Sequence, residues 1–204
     1  MMQRNGEMIM EKNRTVELIF ILDESGSMQS FRQDTVGGFN STIEEHKGKD
    51  ENIITSVILF NTGRKVLYDR IPIDEVPVMT PADYRPNSGT ALCDAVGETI
   101  NNILCRQLAD PNEKRPSKTL VFITTDGMEN ASRVFSANAV RELITSTQDN
   151  CDWEFVFYGS NFDAVSTAAT YGIRKENAME YQSSHDGYQR MHASRNIKLK
   201  EFLN

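Results

Sequence analysis

Runs of branched apolar residues alternate along the chain with segments of helical period. Val16–Leu22 is a strand buried on both faces, because its apolar positions are nearly continuous rather than alternating. Phe31, Thr35, Phe39 and Ile43 then recur at helical spacing, and the segment ends near Gly48. Gly37 and Gly38 sit inside that helix at ~1 kcal/mol each relative to Ala, which calls for close approach of a neighbouring element. Ile53–Phe60 and Arg64–Ile71 read as strands joined by Asn61-Thr62-Gly63, a link too short for a parallel crossover, so the third strand runs antiparallel. Pro72–Pro86 is a loop with four prolines, and Thr90–Leu108 an amphipathic helix. Asp110–Ser117 is a polar break. Strand Thr119–Thr124, helix Ser136–Thr147, strand Trp153–Tyr158 and a helix from Asp163 to about Tyr171 follow. Ala178–Tyr181 reads as a short edge strand and 185–203 as a terminal helix whose apolar positions dock on the sheet. Strands alternating with helices predict a doubly wound α/β sheet with helices on both faces. The expected organisation is a flexible arm over residues 1–13 and one domain over 14–204.

Composition narrows the function classes. The 204 residues are 39% hydrophobic and 25% charged, ordinary for one globular domain. A net charge of −7 argues against nonspecific binding to nucleic acid or to an anionic membrane. Neither a signal-peptide core nor an apolar run of membrane-spanning length is present, so a cytoplasmic location is expected. Cys93, Cys105 and Cys151 are odd in number and form no CxxC pair, which reads as free, mostly buried thiols in a reducing compartment. The three His have no ligand-like companions. His185 and His192 share a helix face and are expected to be solvated or to pack.

In such sheets ligands bind outside the carboxyl ends of the strands. Three loops lie at carboxyl strand ends or helix N-termini and can converge on one crevice: Asp23-Glu24-Ser25-Gly26-Ser27 after the first strand, Ser88-Gly89-Thr90-Ala91-Leu92 opening the second long helix, and Thr124-Thr125-Asp126-Gly127 after the strand Leu120–Ile123. They offer the carboxylates of Asp23 and Asp126 and the hydroxyls of Ser25, Ser27 and Thr90, without His or Cys. An all-oxygen set suits a hard cation, Mg²⁺ first and Mn²⁺ or Ca²⁺ next, and excludes a zinc or copper preference. Neutral hydroxyls leave such an ion electrophilic, with a position for an external carboxylate. A lone Asp-x-Ser-x-Ser would be read as a helix N-cap; the other two loops, in order and on the right elements, favour the metal. Asp94 follows Thr90 by one helical turn and is expected to stand behind it or to stabilise the helix start. Glu24, Met128, Glu129, Asn130, Asn161 and Asp163 are expected at the rim, where they would meet a partner.

Taken together, Ile21-Leu22-Asp23-Glu24-Ser25-Gly26-Ser27-Met28, Ser88-Gly89-Thr90-Ala91-Leu92 and Ile123-Thr124-Thr125-Asp126-Gly127 resemble the von Willebrand factor type A (vWA) domain with its metal-ion-dependent adhesion site (MIDAS). Gly38-Phe39-Asn40 resembles bacterial members, which suggests the bacterial intracellular type. The likeness runs from about Arg14 to Tyr181. It implies a Rossmann-like six-stranded sheet of order 3-2-1-4-5-6 with the third strand antiparallel. It also implies Ser25 and Ser27 as direct ligands, Thr90 direct or through water, and Asp23 and Asp126 through water or behind the ligands. The implied partner is a protein that supplies an acidic side chain to the metal, so the leading reading is a protein-binding module rather than an enzyme. The alternatives are a Mg²⁺-dependent phosphohydrolase with Asp23 as nucleophile, for which Ser25 stands where a second Asp is needed, and a metal-independent scaffold.

Overall fold

The computed structural model describes residues 15–49, 51–112 and 114–204, so the expected arm at 1–13 lies outside the described residues. Six strands form one sheet: β1 (Val16–Asp23), β2 (Ile53–Phe60), β3 (Arg64–Pro72), β4 (Lys118–Thr125), β5 (Trp153–Gly159) and β6 (Ala178–Glu180). Their order is β3-β2-β1-β4-β5-β6. β1 pairs parallel with β2 and β4, β4 with β5 and β5 with β6, while β3 runs antiparallel to β2. The alternation predicts the α/β sheet and the vWA resemblance implies this strand order; the three-residue link before β3 gives the sheet its one reversed strand.

All eight residues of β1 are buried, which is why the segment reads as a continuous apolar run. Leu18, Phe20 and Leu22 face one layer, made by α1 (Arg32–His46) and α5 (His185–Leu203). Ile19 and Ile21 face the other, made by α2 (Leu92–Ala109), α3 (Ala137–Asn150) and α4 (Ala164–Thr170). The terminal helix docks as expected, through Tyr188, Met191 and Leu199. Gly38 supplies the close approach its place in α1 demands: a Cβ there would stand 1.8 Å from the His192 ring of α5. A Cβ on Gly37 would meet nothing within 4 Å, so packing inside the protein does not explain that glycine.

Four local expectations are corrected. The first helix is preceded by a separate 3₁₀ turn at Gly26–Phe31. The segment 72–86 is not a bare loop: Ile73, Val76, Met79 and Tyr84 are buried in the core beside α1, and the Asn40 side-chain amide exchanges two 2.8 Å hydrogen bonds with the Met79 backbone. The second long helix begins at Leu92, two residues late, because the Thr90 and Ala91 amides are bound by Asn130 and Asn61 outside the helix. The thiols are free, but only Cys93 is buried, whereas Cys105 and Cys151 are exposed.

Candidate metal centre

β1 and β4 are adjacent and parallel, so both deliver their carboxyl ends to the same edge of the sheet. Asp23 is the last residue of β1 and is fully buried. Its Oδ1 accepts the Ser25 backbone N–H at 2.7 Å, closing the turn, and its Oδ2 accepts the Thr125 hydroxyl at 2.5 Å, tying β1 to β4. From Ser25 the chain of hydroxyls continues outward. Ser25 Oγ lies 3.1 Å from Ser27 Oγ, and Ser27 Oγ donates to Asp126 Oδ1 at 2.5 Å.

Thr90 reaches the same place from the other side. Gly26 N–H donates to the Ser88 carbonyl at 3.0 Å, which seats the 88–90 loop on the Asp23 turn. Gly127 follows Asp126, and a Cβ on it would come 3.2 Å from Thr90 Oγ1. The five residues read from the sequence thus converge on one crevice, in a cradle that a side chain at 127 would crowd.

Burial sets the electrostatics. Loss of water pushes the Asp23 carboxyl up to about 6, against the hydrogen bonds from Thr125 and Ser25, and the nearby Asp126 adds to the rise. Burial also raises Asp126, with the Ser27 hydroxyl acting against it. Among the described residues, no Lys, Arg or His forms an ion pair with either carboxylate. Two buried carboxylates with hydroxyl neighbours and, among the described residues, no ion-pairing cation are chemically suited to a hard divalent ion. No group of three or more His, Cys, Asp or Glu side chains placed to hold a metal occurs among the described residues. The donor set here differs in kind, with three of its five members hydroxyls.

The expected rim residues separate into different roles. Met128 is 66% exposed and stands free beside the crevice. Glu24 is buried; its side chain accepts the Arg85 N–H and its carbonyl accepts the Asn87 N–H at 2.9 Å, so it holds the 85–87 segment. Asn130 brackets Thr90: its Oδ1 accepts the Thr90 N–H at 2.9 Å and its own N–H donates to the Thr90 carbonyl at 3.0 Å. The Glu129 carboxylate accepts the N–H groups of Cys93, Ala131 and Ser132, stapling the loop after β4 to the start of α2. Asp163 caps α4 through the Ser166 N–H, and Asn161 donates to the Asp126 carbonyl at 3.3 Å. Asp94 accepts the N–H groups of Arg133, Val134 and Phe135, so it fixes the loop behind Thr90 and makes no hydrogen bond to Thr90 itself.

The sequence reading missed the support beneath the crevice. The Tyr84 hydroxyl donates to the Asp23 carbonyl, and Tyr181 donates to the Thr125 carbonyl at 3.3 Å. Tyr188 donates to Met28 Sδ at 3.5 Å and stacks on Phe31 with ring centroids 4.7 Å apart. These tyrosines lie 61, 56 and 160 residues from their partners, and no local pattern marks them. Thr125, inside the quoted Thr-Thr-Asp-Gly motif, was legible as a neighbour of the site but not as the link to Asp23.

No protein-family model and no curated protein sequence matches the chain. Solved structures do. Proximal thread matrix protein 1 of the mussel byssus, described with a zinc-occupied MIDAS motif, aligns at a TM-score of 0.63 and 14% identity over 88% of this chain and 46% of its own. The pilus adhesin SpaC of Lactobacillus rhamnosus GG, in an open conformation, aligns at 0.68 and 11% over 93% of this chain and 30% of its own. Manganese-loaded TRAP protein of Plasmodium vivax aligns at 0.60 and 16% over 89% and 72%. The chain spans less than half the length of the mussel protein and of the adhesin. At these identities the likeness establishes architecture: the chain has a vWA-like, Rossmann-type fold.

Proposed function

We propose that this protein is a divalent-cation-dependent protein-binding module, with Asp23, Ser25, Ser27, Thr90 and Asp126 holding one ion and a partner protein completing its shell with a carboxylate. The observation that carries the reading is the burial of Asp23 and Asp126 together, hydrogen-bonded to hydroxyls and, among the described residues, without an ion-pairing cation. Mg²⁺ is the proposed native ion, with Mn²⁺ and Ca²⁺ as further candidates, because hydroxyl and carboxylate oxygens suit hard cations. Bound there, the ion supplies an electrophilic position for an external carboxylate. The protein's own residues orient the hydroxyls, exclude water from beneath the site and keep the two aspartates apart on neighbouring strands. The fold likeness to a zinc-occupied MIDAS protein, a pilus adhesin and a manganese-loaded protein supports this reading.

The phosphohydrolase alternative fits less well. Asp23 is fully buried and both of its oxygens already accept hydrogen bonds, which withholds it from in-line attack on a phosphate. With a net charge of −7, nucleic acid and anionic membrane are unfavoured partners. Among the described residues no helix is long and apolar enough to cross a membrane. Three unpaired thiols, two of them exposed, fit a reducing compartment such as the bacterial cytoplasm. The test is calorimetric titration of Mg²⁺ and Mn²⁺ into the wild type and into the double variant Ser25→Ala, Ser27→Ala. The variant should keep the fold and lose cation binding by about 100-fold or more; equal affinity in the two proteins would overturn the assignment.

A further inference from the structure

The 3₁₀ turn that carries Ser27 continues away from the crevice as one wall of a groove of about 910 Å³ between α1 and α5. Met28 plugs the turn into the core, and Phe31 stacks on Tyr188, so turn and groove wall form one packed piece. The groove is polar. Gln29, Ser30, Gln33 and Ser41 line it, and among the described residues none of their side chains makes a hydrogen bond. The Asp34 carboxylate lies 2.6 Å from His185 Nδ1 across the groove, so its Oδ1 is already engaged. Arg32 donates through Nε to the Tyr84 carbonyl at 2.8 Å, and its terminal amino groups have no partner among the described residues. Among the described residues, Arg32 is the one guanidinium lining the groove, and its terminal N–H groups are open to an incoming acceptor. Gly37 forms part of the floor; it is exposed, lies mid-helix and has open space where a side chain would be.

Resting on the metal reading above, we propose that this groove receives the segment of the partner that adjoins the metal-binding carboxylate, an extended polar peptide bearing a second acidic residue that pairs with Arg32. Free side-chain amides and hydroxyls both donate and accept, which matches the backbone of an extended chain. Arg32 offers two parallel N–H groups to a carboxylate. The missing side chain at Gly37 lets a backbone lie close to α1, the role that internal packing leaves unfilled there. Ser27 and Arg32 are five residues apart, about 10 Å at the ~2.0 Å rise of a 3₁₀ turn. An extended chain in the polyproline II conformation advances ~3.1 Å per residue and returns to the same face every third residue, so the two acidic residues of the partner stand about three positions apart.

The probe is a labelled, capped peptide Gly-Gly-Asp-Ser-Gly-Asp-Gly-Gly, compared with one whose second Asp is Asn, by fluorescence anisotropy in Mg²⁺ and in EDTA. The diacidic peptide should bind about fivefold more tightly in Mg²⁺. Arg32→Ala and Gly37→Phe should each bring it down to the level of the control. Gly37→Phe tests the groove without removing any hydrogen bond. Equal affinities in the wild type, an advantage that survives both variants, or no binding of either peptide overturns the proposal. Mn²⁺ titration of the wild type without peptide separates the two readings: tight Mn²⁺ binding leaves the metal centre standing while the groove falls, and absent Mn²⁺ binding sinks both.

Discussion

Asn130 illustrates how a single side chain can set a site it does not enter. Its amide and backbone grip Thr90 from both sides, and a Cβ on Gly89 would come 2.8 Å from its Oδ1, so the 88–90 loop fits only one arrangement. Asn130→Ala should leave the fold intact and weaken Mg²⁺ binding about tenfold, as loss of support behind a metal ligand does; calorimetric titration checks it. The residue-scale chemistry was partly legible. The residue types at 23, 25, 27, 90 and 126 were legible as an oxygen-only donor set, the basis of the proposed hard-cation site. What Asn130, Glu129 and Asp94 do was not legible, because an exposed-looking polar residue in a loop reads the same whether it faces a partner or grips its own backbone.

Between elements, the contact of α1 with α5 is the most exacting. His192 lies over Gly38, its Nε2 is 3.1 Å from the Asp34 carbonyl, and its Nδ1 is 2.7 Å from Arg195 Nη2. Arg195 is itself 1% exposed; it donates to the Gly38 carbonyl at 2.7 Å and lies over the Phe20 ring at 5.4 Å. Gly38→Ala should therefore destabilise by about 3 kcal/mol, since backbone or imidazole must move. Gly37→Ala should stabilise by about 0.5–1 kcal/mol through helix propensity. Urea unfolding of the pair reads both signs. Burial, with the Arg195 charge adding, lowers the His192 pKa to about 3. The unfolded imidazole takes its proton near 6.5, so between these values the unfolded chain binds more protons and folding weakens as pH falls. In His192→Gln this part of the pH dependence should vanish; urea midpoints from pH 7 to pH 4, wild type against variant, would show it.

Over the whole molecule, the central strand β1 carries a buried carboxylate near each end, Asp23 and Glu17. At the carboxyl end lies the crevice. At the other end Glu17, fully buried on β1, accepts Arg70 Nε at 3.0 Å and Gln107 Nε2 at 2.9 Å, while Arg70 Nη2 donates to Asp110 at 2.6 Å. This network joins the central strand to the antiparallel edge strand and to the end of α2. Arg70 sits at a bulge with φ of 53°, its N–H donating to Ser56 Oγ at 3.0 Å. Arg70→Ala would leave Glu17 buried without its cation and should cost about 3–5 kcal/mol. On the proposed metal reading, the Mg²⁺ affinity of the folded protein should stay unchanged, because the network lies at the opposite end of the strands from the proposed ligands. Urea unfolding together with calorimetry distinguishes this outcome from a general loss of structure.

By itself, the sequence determined the periodicities and therefore the elements: β1 as a two-faced strand, β3 as antiparallel because three residues cannot cross the sheet, and the three oxygen-bearing loops, two at carboxyl strand ends and one at a helix start. These follow from local rules, in which spacing and residue type suffice. Tertiary structure alone decided the rest. It decided that segment 72–86 packs as core, since its four prolines mask buried Ile73, Val76, Met79 and Tyr84. It decided which glycine of the pair in α1 is obligatory, since only the approach of His192 distinguishes Gly38 from Gly37. It also decided that two of the three cysteines face solvent and that Tyr84, Tyr181 and Tyr188 underlie the crevice. The physical reason is common to all four: burial and hydrogen bonding across tens of residues depend on which side chains the packed elements bring together, and local spacing does not record that.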